Sequence, residues 1–251
     1  MNKRTVLVTG ATSGIGLATA RLLAQHDFRL IVTGRRKERL EQLSQELSSL
    51  TDIHYLVFDV REREAVQNAI QGLPEDFATI DVLINNAGNA HGLDTIQEGN
   101  PDDWDAMMDI NVKGLLYVSK AVIPQMTSRK QGHIVNIGSI AGKEVYPKGN
   151  VYCASKHAVD AINKGMLMDL NPYGIKVTAI NPGLVETEFS VVRFKGDEDR
   201  ASQVYKGMQP LRPEDVASVI LYTLQLPAHV NISDLVLLPT DQASATVVRR
   251  A

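Results

Sequence analysis

The sequence contains a single cysteine, Cys153, and has no long apolar run. One cysteine cannot form an internal disulfide, which is typical of a protein from a reducing compartment. No stretch approaches the roughly 18 uncharged residues that a membrane span needs, and the N-terminal segment MNKRTVLVTG lacks a long apolar region with a cleavage site. We therefore expect a cytoplasmic protein that does not associate with membranes.

An excess of charge of one sign is also absent. Lysine and arginine number 26 against 29 aspartates and glutamates, and the formal net charge is -3. This balance argues against a general affinity for nucleic acid or an anionic membrane, so any phosphate-binding site must be local. The six histidines show no spacing typical of metal ligands, and we predict no catalytic metal.

Short apolar segments alternate with segments of helical periodicity along the whole chain. Apolar strands that are each followed by a helix predict a parallel sheet covered on both faces. We therefore predict one α/β domain over residues 1–251, a Rossmann-type doubly wound parallel sheet flanked by helices. The polar stretch 188–207 shows no regular pattern, which predicts an irregular lid over the substrate. The predicted strands lie in TVLVTG, RLIVTG, IHYLVFDV, IDVLINNAG, GHIVNIGS, IKVTAINPG and DLVLLP.

A glycine-rich turn, TGATSGIG, follows the first predicted strand and precedes the first helix. Gly10 permits a tight turn, Gly14 lets the backbone approach a ligand, and Gly16 lets the helix pack against the strand. The free N–H groups of the helix then point at a pyrophosphate. The spacing differs from the commoner Gly-x-Gly-x-x-Gly pattern, but its position predicts a dinucleotide site. The predicted contacts from this turn are Gly10, Thr12, Ser13, Gly14, Ile15 and Gly16.

The second predicted strand ends in TGRR, where dinucleotide folds often place an acidic residue against the adenosine ribose 2′-hydroxyl. Here Gly34 stands at that position, and Arg35 and Arg36 follow. A carboxylate would repel a 2′-phosphate, whereas a guanidinium binds one. We therefore predict NADP(H), with Arg35 as the principal contact and Arg36 as a second contact or a cover on the adenine. Lys37 and Arg39 are interpreted as members of an exposed helix face.

The segment YCASK places Tyr152 and Lys156 four residues apart, so that both side chains share one face of a helix. A neighbouring ammonium favours the phenolate and lowers the pKa of a tyrosine. Tyr152 could then accept the proton of a substrate alcohol, or donate one to a carbonyl in the reverse reaction. Cys153 points elsewhere on the helix and is interpreted as a small packing residue.

Taken together with NNAG, the Asn in DINVKG, the Ser in VNIGS and NPG, these motifs resemble the short-chain dehydrogenase/reductase family over essentially the whole chain. The resemblance implies a catalytic tetrad of Asn111, Ser139, Tyr152 and Lys156. In it, Ser139 would bind the substrate oxygen, Lys156 would lower the pKa of Tyr152 and hold the nicotinamide ribose, and Asn111 would position a water. Asn85 is as compatible with bracing the sheet as with ligand contact. Further cofactor contacts implied by the resemblance are Asp59, Val60, Asn86, Pro182, Gly183, Val185 and Thr187.

Three stretches, AGKEVYPKGNVY, PGLVETEFSVVRFKGD and LPAHVNISDLVLLP, are similar to the NADP-dependent 3-hydroxy acid dehydrogenases of this family, which oxidise L-serine and L-allo-threonine. A small acid needs a cation to orient its carboxylate, and an arginine fork suits it best. Arg193 in the lid is the candidate, although it could equally lock the lid. Asn89 and His91 depart from the more apolar pattern of that subgroup. The competing cations are Lys143, Lys148, Lys195, Arg249 and Arg250.

Other functions remain open at this point. A broad-specificity NADPH-dependent carbonyl reductase would share the fold and differ mainly in the lid. A 3-oxoacyl-carrier-protein reductase would share the tetrad, but the C-terminal LPTDQASATVVRRA does not resemble the glycine-rich end of that group. An NADP(H)-binding sensor or scaffold would not require the full tetrad. The resemblance also implies a homotetramer.

Overall fold

A seven-stranded sheet forms the centre of the computed structural model, which describes residues 3–251. Its strand order is β3-β2-β1-β4-β5-β6-β7, and every neighbouring pair is parallel. This confirms the predicted doubly wound parallel sheet. The strands are β1 (Arg4–Val8), β2 (Phe28–Gly34), β3 (Ile53–Val57), β4 (Val82–Asn85), β5 (His133–Ile137), β6 (Lys176–Pro182) and β7 (Asp234–Leu237).

Helices cover both faces of the sheet, which explains why the strands are apolar almost throughout. Successive residues of β1 enter different cores: Val6 and Val8 belong to one, and Leu7 belongs to the other. Helices α1, α2 and α9 pack on the first core, and α3, α5 and α6 on the second. The helices are α1 (Gly14–Ala24), α2 (Lys37–Leu47), α3 (Arg63–Gln71), α4 (Pro101–Met108), α5 (Leu115–Arg129), α6 (Asn150–Leu170), α7 (Phe189–Arg193), α8 (Glu198–Gln203) and α9 (Pro213–Gln225).

The strand order reverses between β1 and β4, which are neighbours in the sheet. Strands β2 and β3 lie on one side of β1, and strands β4 to β7 lie on the other. The loops that follow β1 and β4 therefore separate to opposite sides at the carboxyl edge of the sheet and leave a crevice between them. In open α/β sheets, ligands bind at such a switch point. The backbone amide of Thr9, just after β1, donates to the carbonyl of Ile84 in β4 at 3.0 Å and continues the pairing of these strands to the base of the crevice.

The predicted lid, residues 188–207, is more regular than expected. It contains the two short helices α7 and α8, so the expectation of an irregular stretch was wrong. The side chain of Asp197 caps α8 by accepting a hydrogen bond from the amide of Arg200 at 2.9 Å. Helices of five and six residues are too short to show a helical period in a polar sequence.

Within residues 3–251, no helix combines the length and the apolar character that crossing a bilayer requires.

Candidate active site

A cleft of about 510 Å³ opens at the carboxyl edge of the sheet. Its walls come from the glycine-rich loop, the ends of β2 and β3, the loop after β4, the start of α6 and the lid. This volume is typical of a pocket for a cofactor or small molecule. The cleft therefore brings together motifs that are distant in the sequence.

The glycine-rich loop has the close packing that a dinucleotide site needs. Gly10 has a positive φ of 67°, and a Cβ there would lie 3.0 Å from the Cα of Ala87. A Cβ on Gly16 would lie 2.4 Å from the carbonyl oxygen of Gly10. Asn86, predicted to run along the cofactor, lines the cleft and also donates from Nδ2 to the carbonyl of Thr9 at 2.8 Å. Larger side chains would close the turn, so its shape fits a pyrophosphate at the N-terminus of α1.

Arg35 and Asp59 line the end of the cleft beyond the glycine loop. The Arg35 side chain is 59% exposed, and its Nη1 lies 3.7 Å from Asp59 Oδ2. Partial burial alone would raise the pKa of the Asp59 carboxyl, but the hydrogen bonds and charge of Arg61, together with Arg35, hold it below its usual value. Asp59 therefore stays ionised and attracts the guanidinium groups of Arg35 and Arg61 to this end of the cleft.

Arg36 also lines the cleft, and the N–H groups of its guanidinium donate to other side chains of the protein. Its Nε and Nη2 donate to Thr12 Oγ1 at 3.1 and 2.8 Å, and Nη2 also donates to Ser13 Oγ at 2.8 Å. Its Nη1 donates to Glu188 at 2.9 Å. In this structure Arg36 therefore supports the glycine loop and the lid, and its role as a second cofactor contact or a cover on the adenine stays a prediction.

The Tyr152 hydroxyl, the Ser139 hydroxyl and the Lys156 ammonium belong to buried side chains that line the same cleft. Tyr152 and Lys156 lie in the first two turns of α6, which begins at Asn150. Ser139 follows β5, and its hydroxyl lies near enough to Tyr152 to oppose the rise in the pKa of the phenol. The Lys156 Nζ donates to the carbonyl of Ile137 at 3.0 Å, which ties the ammonium to the end of β5.

Burial dominates the ionisation of the tyrosine and lysine. It raises the pKa of the Tyr152 phenol well above its ordinary value, and the Ser139 hydroxyl and the charge of Arg193 only partly oppose this. It also lowers the pKa of the Lys156 ammonium to about 8. Desolvation therefore outweighs the charged neighbours in setting the pKa of Tyr152, and the predicted lowering by Lys156 stays a prediction.

Asn111 lies in a π-helical turn, Asp109–Gly114, between α4 and α5. Single π turns inside helices are frequent at functional sites. The Asn111 amide donates from Nδ2 to the carbonyl of Asn89 at 2.8 Å and accepts from the Asn89 amide at Oδ1, also at 2.8 Å. A Cβ on Gly88 would meet both Asn111 Oδ1 and Lys156 Nζ, so these atoms border one small space. The predicted role of Asn111 in placing a water stays a prediction.

Arg193 reaches into the cleft from the end of α7 and is half-buried. Its guanidinium carbon lies 5.5 Å from the ring centroid of Tyr152. Its Nε donates to the carbonyl of Gly92 and its Nη1 to the hydroxyl of Tyr146, both at 3.0 Å. These contacts fix the guanidinium beside Tyr152, while other N–H groups of the fork make no hydrogen bond within the described residues.

Most of the competing cations are engaged elsewhere. Lys143 pairs with Asp160 and Asp234, and Lys195 Nζ lies 2.9 Å from Asp103 Oδ2. Arg249 pairs with Asp241, and Arg250 donates to backbone carbonyls of the lid. Lys148 is exposed and lines a small recess beside the cleft.

Sequence reasoning missed two residues that shape the substrate end of the cleft. Tyr146 holds Arg193 through its hydroxyl, and Phe189 packs edge-on against Tyr152 with ring centroids 5.6 Å apart. Both stand in stretches that carry the family resemblance, but neither forms part of a spaced motif. Asn85, whose role was open, is buried and donates to Ser119 and Asn136, so it braces the sheet.

The remaining predicted cofactor residues occupy the cleft wall, and their contacts with a cofactor stay predictions. They are Thr12, Ser13, Gly14, Ile15, Val60, Pro182, Gly183, Val185 and Thr187.

A parallel sheet with a glycine loop at its switch point, and a buried Ser, Tyr and Lys beside it, define a dinucleotide-binding oxidoreductase. The family model for short chain dehydrogenases matches residues 4–198. The chain belongs to the short-chain dehydrogenase family and is an oxidoreductase.

Two curated relatives are similar over nearly their whole length. Sulfoacetaldehyde reductase 2 of Chromohalobacter salexigens is 46% identical over 247 residues, covering 98% of both chains. The NADP-dependent 3-hydroxy acid dehydrogenase of Escherichia coli strain K12 is 44% identical over 241 residues, covering 96% of both. Among solved structures, the closed form of serine dehydrogenase complexed with NADP+ aligns with a TM-score of 0.93 at 44% identity, covering 98% of this chain and 100% of that one.

Proposed function

We propose that this protein is an NADP-dependent dehydrogenase of small hydroxy acids such as L-serine, L-allo-threonine or 3-hydroxypropionate. It would transfer a hydride between the cofactor and the carbon that carries the 3-hydroxyl or 3-oxo group. The observation that carries the proposal is the position of Arg193, whose guanidinium lies over the ring of Tyr152 in a half-buried cleft. A fixed cation beside the acid/base residue suits a substrate whose anionic group lies close to its reacting carbon.

The chain's own residues provide the proton chemistry. The nicotinamide supplies the hydride acceptor in oxidation and the hydride donor in reduction. Ser139 donates a hydrogen bond to the substrate oxygen, and Tyr152 accepts the hydroxyl proton as the hydride leaves the carbon. In reduction Tyr152 returns that proton to the carbonyl oxygen. Because burial raises the pKa of Tyr152, its phenol is mostly protonated near neutrality, which suits its role as the acid in reduction.

Binding of the 2′-phosphate is assigned to Arg35. The glycine cradle fits a pyrophosphate, and Arg35 is largely exposed at the end of β2 with no acidic residue at position 34. The Escherichia coli relative is named as NADP-dependent, and the similar serine dehydrogenase structure is complexed with NADP+.

Replacing Arg35 by alanine is expected to raise the KM for NADP about ten- to hundred-fold, since a charge-assisted hydrogen bond contributes roughly 1.5 to 3 kcal/mol. The KM for NAD should change little, because NAD has no 2′-phosphate. Lys37→Ala is the matched control, since Lys37 is 60% exposed two residues away and pairs with Glu41. Equal losses for the two nucleotides would contradict the assignment.

A second variant tests the position before Arg35. Gly34→Asp combined with Arg35→Ala should move the preference further toward NAD. A Cβ on Gly34 would lie 2.8 Å from Thr12 Cγ2, so Gly34→Ala is needed to separate this steric effect from the effect of the carboxylate. An unchanged NADP preference in the double variant would contradict the assignment of the 2′-phosphate to Arg35.

The two curated relatives differ in the anionic group that their names imply for the substrate, a sulfonate in one and a carboxylate in the other. Sulfoacetaldehyde and the 3-oxo acid formed from 3-hydroxypropionate both carry an anionic group on the carbon next to the aldehyde. An arginine fork can bind either a carboxylate or a sulfonate. The three hydroxy acids should be assayed with NADP, and sulfoacetaldehyde and neutral carbonyls with NADPH. Turnover of neutral carbonyls alone would favour the broad carbonyl reductase, and cofactor binding without any turnover would favour a sensor or scaffold.

A homotetramer remains the expected assembly. Apolar side chains are exposed on the helices that would carry the subunit contacts: Leu116 on α5 is 40% exposed and Met168 on α6 is 71% exposed. Burial of such residues favours association. A cytoplasmic location also stays a prediction.

A further inference from the structure

Glu188 is the first residue of the lid and lies against the nucleotide side of the cleft. Its Oε2 accepts a hydrogen bond from Arg36 Nη1 at 2.9 Å, and its Oε1 accepts one from Arg39 Nη1 at 2.7 Å. We call these three residues the Glu188 bridge. Glu188 and Arg39 are 149 residues apart in sequence, so the bridge joins the lid to the start of α2.

The bridge also reaches the glycine loop. Arg36 donates to the hydroxyls of Thr12 and Ser13, and Arg39 Nη1 approaches the carbonyl of Thr12 at 3.4 Å. Each guanidinium therefore holds the loop with some of its donors and the lid with another. The bridge is a continuous polar connection between the loop that would bind the pyrophosphate and the segment that covers it.

The lid lies close to the loop at this point. A Cβ on Gly14 would lie only 3.3 Å from Thr187 Cγ2, so the residue before Glu188 lies close to the glycine turn. The Glu188 side chain is 44% exposed, and partial burial alone would raise its pKa. Hydrogen bonds from Arg36 and Arg39 hold that pKa below its usual value, so the carboxylate is ionised near neutrality.

We propose that Glu188 is a positioning residue that holds the lid against the glycine loop through Arg36 and Arg39 and thereby slows release of the bound dinucleotide. This inference rests on the proposed cofactor, but not on the identity of the substrate. A nucleotide that lies between the loop and the lid can leave only when the lid separates from the loop. Replacing the carboxylate by an amide removes its charge and one of its two acceptor oxygens, so one hydrogen bond is lost and the other is weakened, while Arg36 and Arg39 keep their contacts with the loop.

Glu188 could act instead as an anion that competes with the 2′-phosphate for the same guanidinium groups. The two roles predict opposite results for NADPH. Loss of a bridge speeds release of NADPH and of NADH, because both lie beneath the lid. Loss of a competitor slows release of NADPH and leaves NADH unchanged, because only NADPH carries the 2′-phosphate.

The test is stopped-flow release of NADPH and NADH from the full-length protein, monitored by nucleotide fluorescence in the absence of substrate. Glu188→Gln preserves the size of the side chain and removes its charge. We expect release of both nucleotides to be at least about threefold faster than in wild type, the scale of a partly exposed ion pair. Added salt should speed release from wild type and have less effect on the variant, because salt screens exposed charges.

Glu186→Gln is the matched control. Glu186 precedes Glu188 by two residues, is equally exposed at 44%, and pairs with Arg212 at 2.9 Å. Its release rates should equal those of wild type. In the double variant Glu188→Gln with Arg39→Met, release should be no faster than in the more affected single variant, because both changes break the same contact.

Unchanged release from Glu188→Gln, or slower release confined to NADPH, would overturn the inference. Equal acceleration in Glu186→Gln would also overturn it, since the effect would then follow from the loss of any acidic charge near the lid. Failure of wild type to bind NADPH would instead contradict the proposed cofactor, so the two failures are distinguishable. Thermal unfolding of each variant checks that the fold is intact.

Discussion

Tyr152→Phe is expected to lower kcat/KM for a hydroxy acid with NADP by roughly 10²- to 10⁴-fold, the usual contribution of a positioned acid/base group. The hydroxyl of Tyr152 is the atom that would exchange a proton with the substrate oxygen. The change should leave the fold intact, because the ring keeps its contacts with Phe189 and Arg193. Affinity for NADPH should therefore stay close to that of wild type.

The pH dependence provides a second measurement for this variant. Oxidation requires the phenolate, and burial raises the pKa of Tyr152, so kcat/KM for oxidation should rise with pH on the alkaline side. The residual activity of Tyr152→Phe should lack that rise. Tyr146→Phe is the matched control, since it removes another cleft hydroxyl that binds only Arg193 in the described part of the chain. If Tyr152→Phe retained most of its turnover, the acid/base role would be wrong.

Arg193→Met is expected to lower kcat/KM for anionic substrates by about 10²-fold, since each charge-assisted hydrogen bond contributes roughly 1.5 to 3 kcal/mol. Most of this loss should appear as a higher KM. Neutral alcohols and carbonyls of similar size should be affected far less, because they offer no charge to the guanidinium. Steady-state kinetics on matched acidic and neutral substrates measures the difference.

The same variant separates two roles of Arg193. The guanidinium also holds the lid through the carbonyl of Gly92 and the hydroxyl of Tyr146. If it only positioned the lid, acidic and neutral substrates would lose activity equally. Lys195→Met is the control for the lid, since Lys195 is the next cation along it and pairs with Asp103. Its selectivity should match that of wild type.

The fold could be predicted from the sequence because its determinants are local. Alternating apolar strands and helices fix a parallel sheet, and TGATSGIG lies at the one place where a glycine turn can approach a nucleotide. Tyr152 and Lys156 are four residues apart on one helix, so their common face follows from helical geometry.

Features that depend on distant contacts were not predictable in this way. Arg39 is exposed on its helix, as expected, but its contact with Glu188 of the lid, 149 residues away in the sequence, could not be predicted. The hydrogen bonds of Arg36 with Thr12, Ser13 and Glu188 likewise join residues that are far apart in the sequence. The spacing of Tyr152 and Lys156 also does not reveal how deeply the tyrosine is buried, and burial raises the pKa of its phenol.

The central claim is that the cleft oxidises small anionic alcohols with NADP. The most direct measurement is the rate of NADPH formation by wild type with 3-hydroxypropionate and with 1,3-propanediol, a neutral alcohol of the same carbon length. With Arg193 binding the carboxylate, kcat/KM for the acid should exceed that for the diol by about 10²-fold or more. Equal values for the two substrates, or oxidation of the diol alone, would contradict the account.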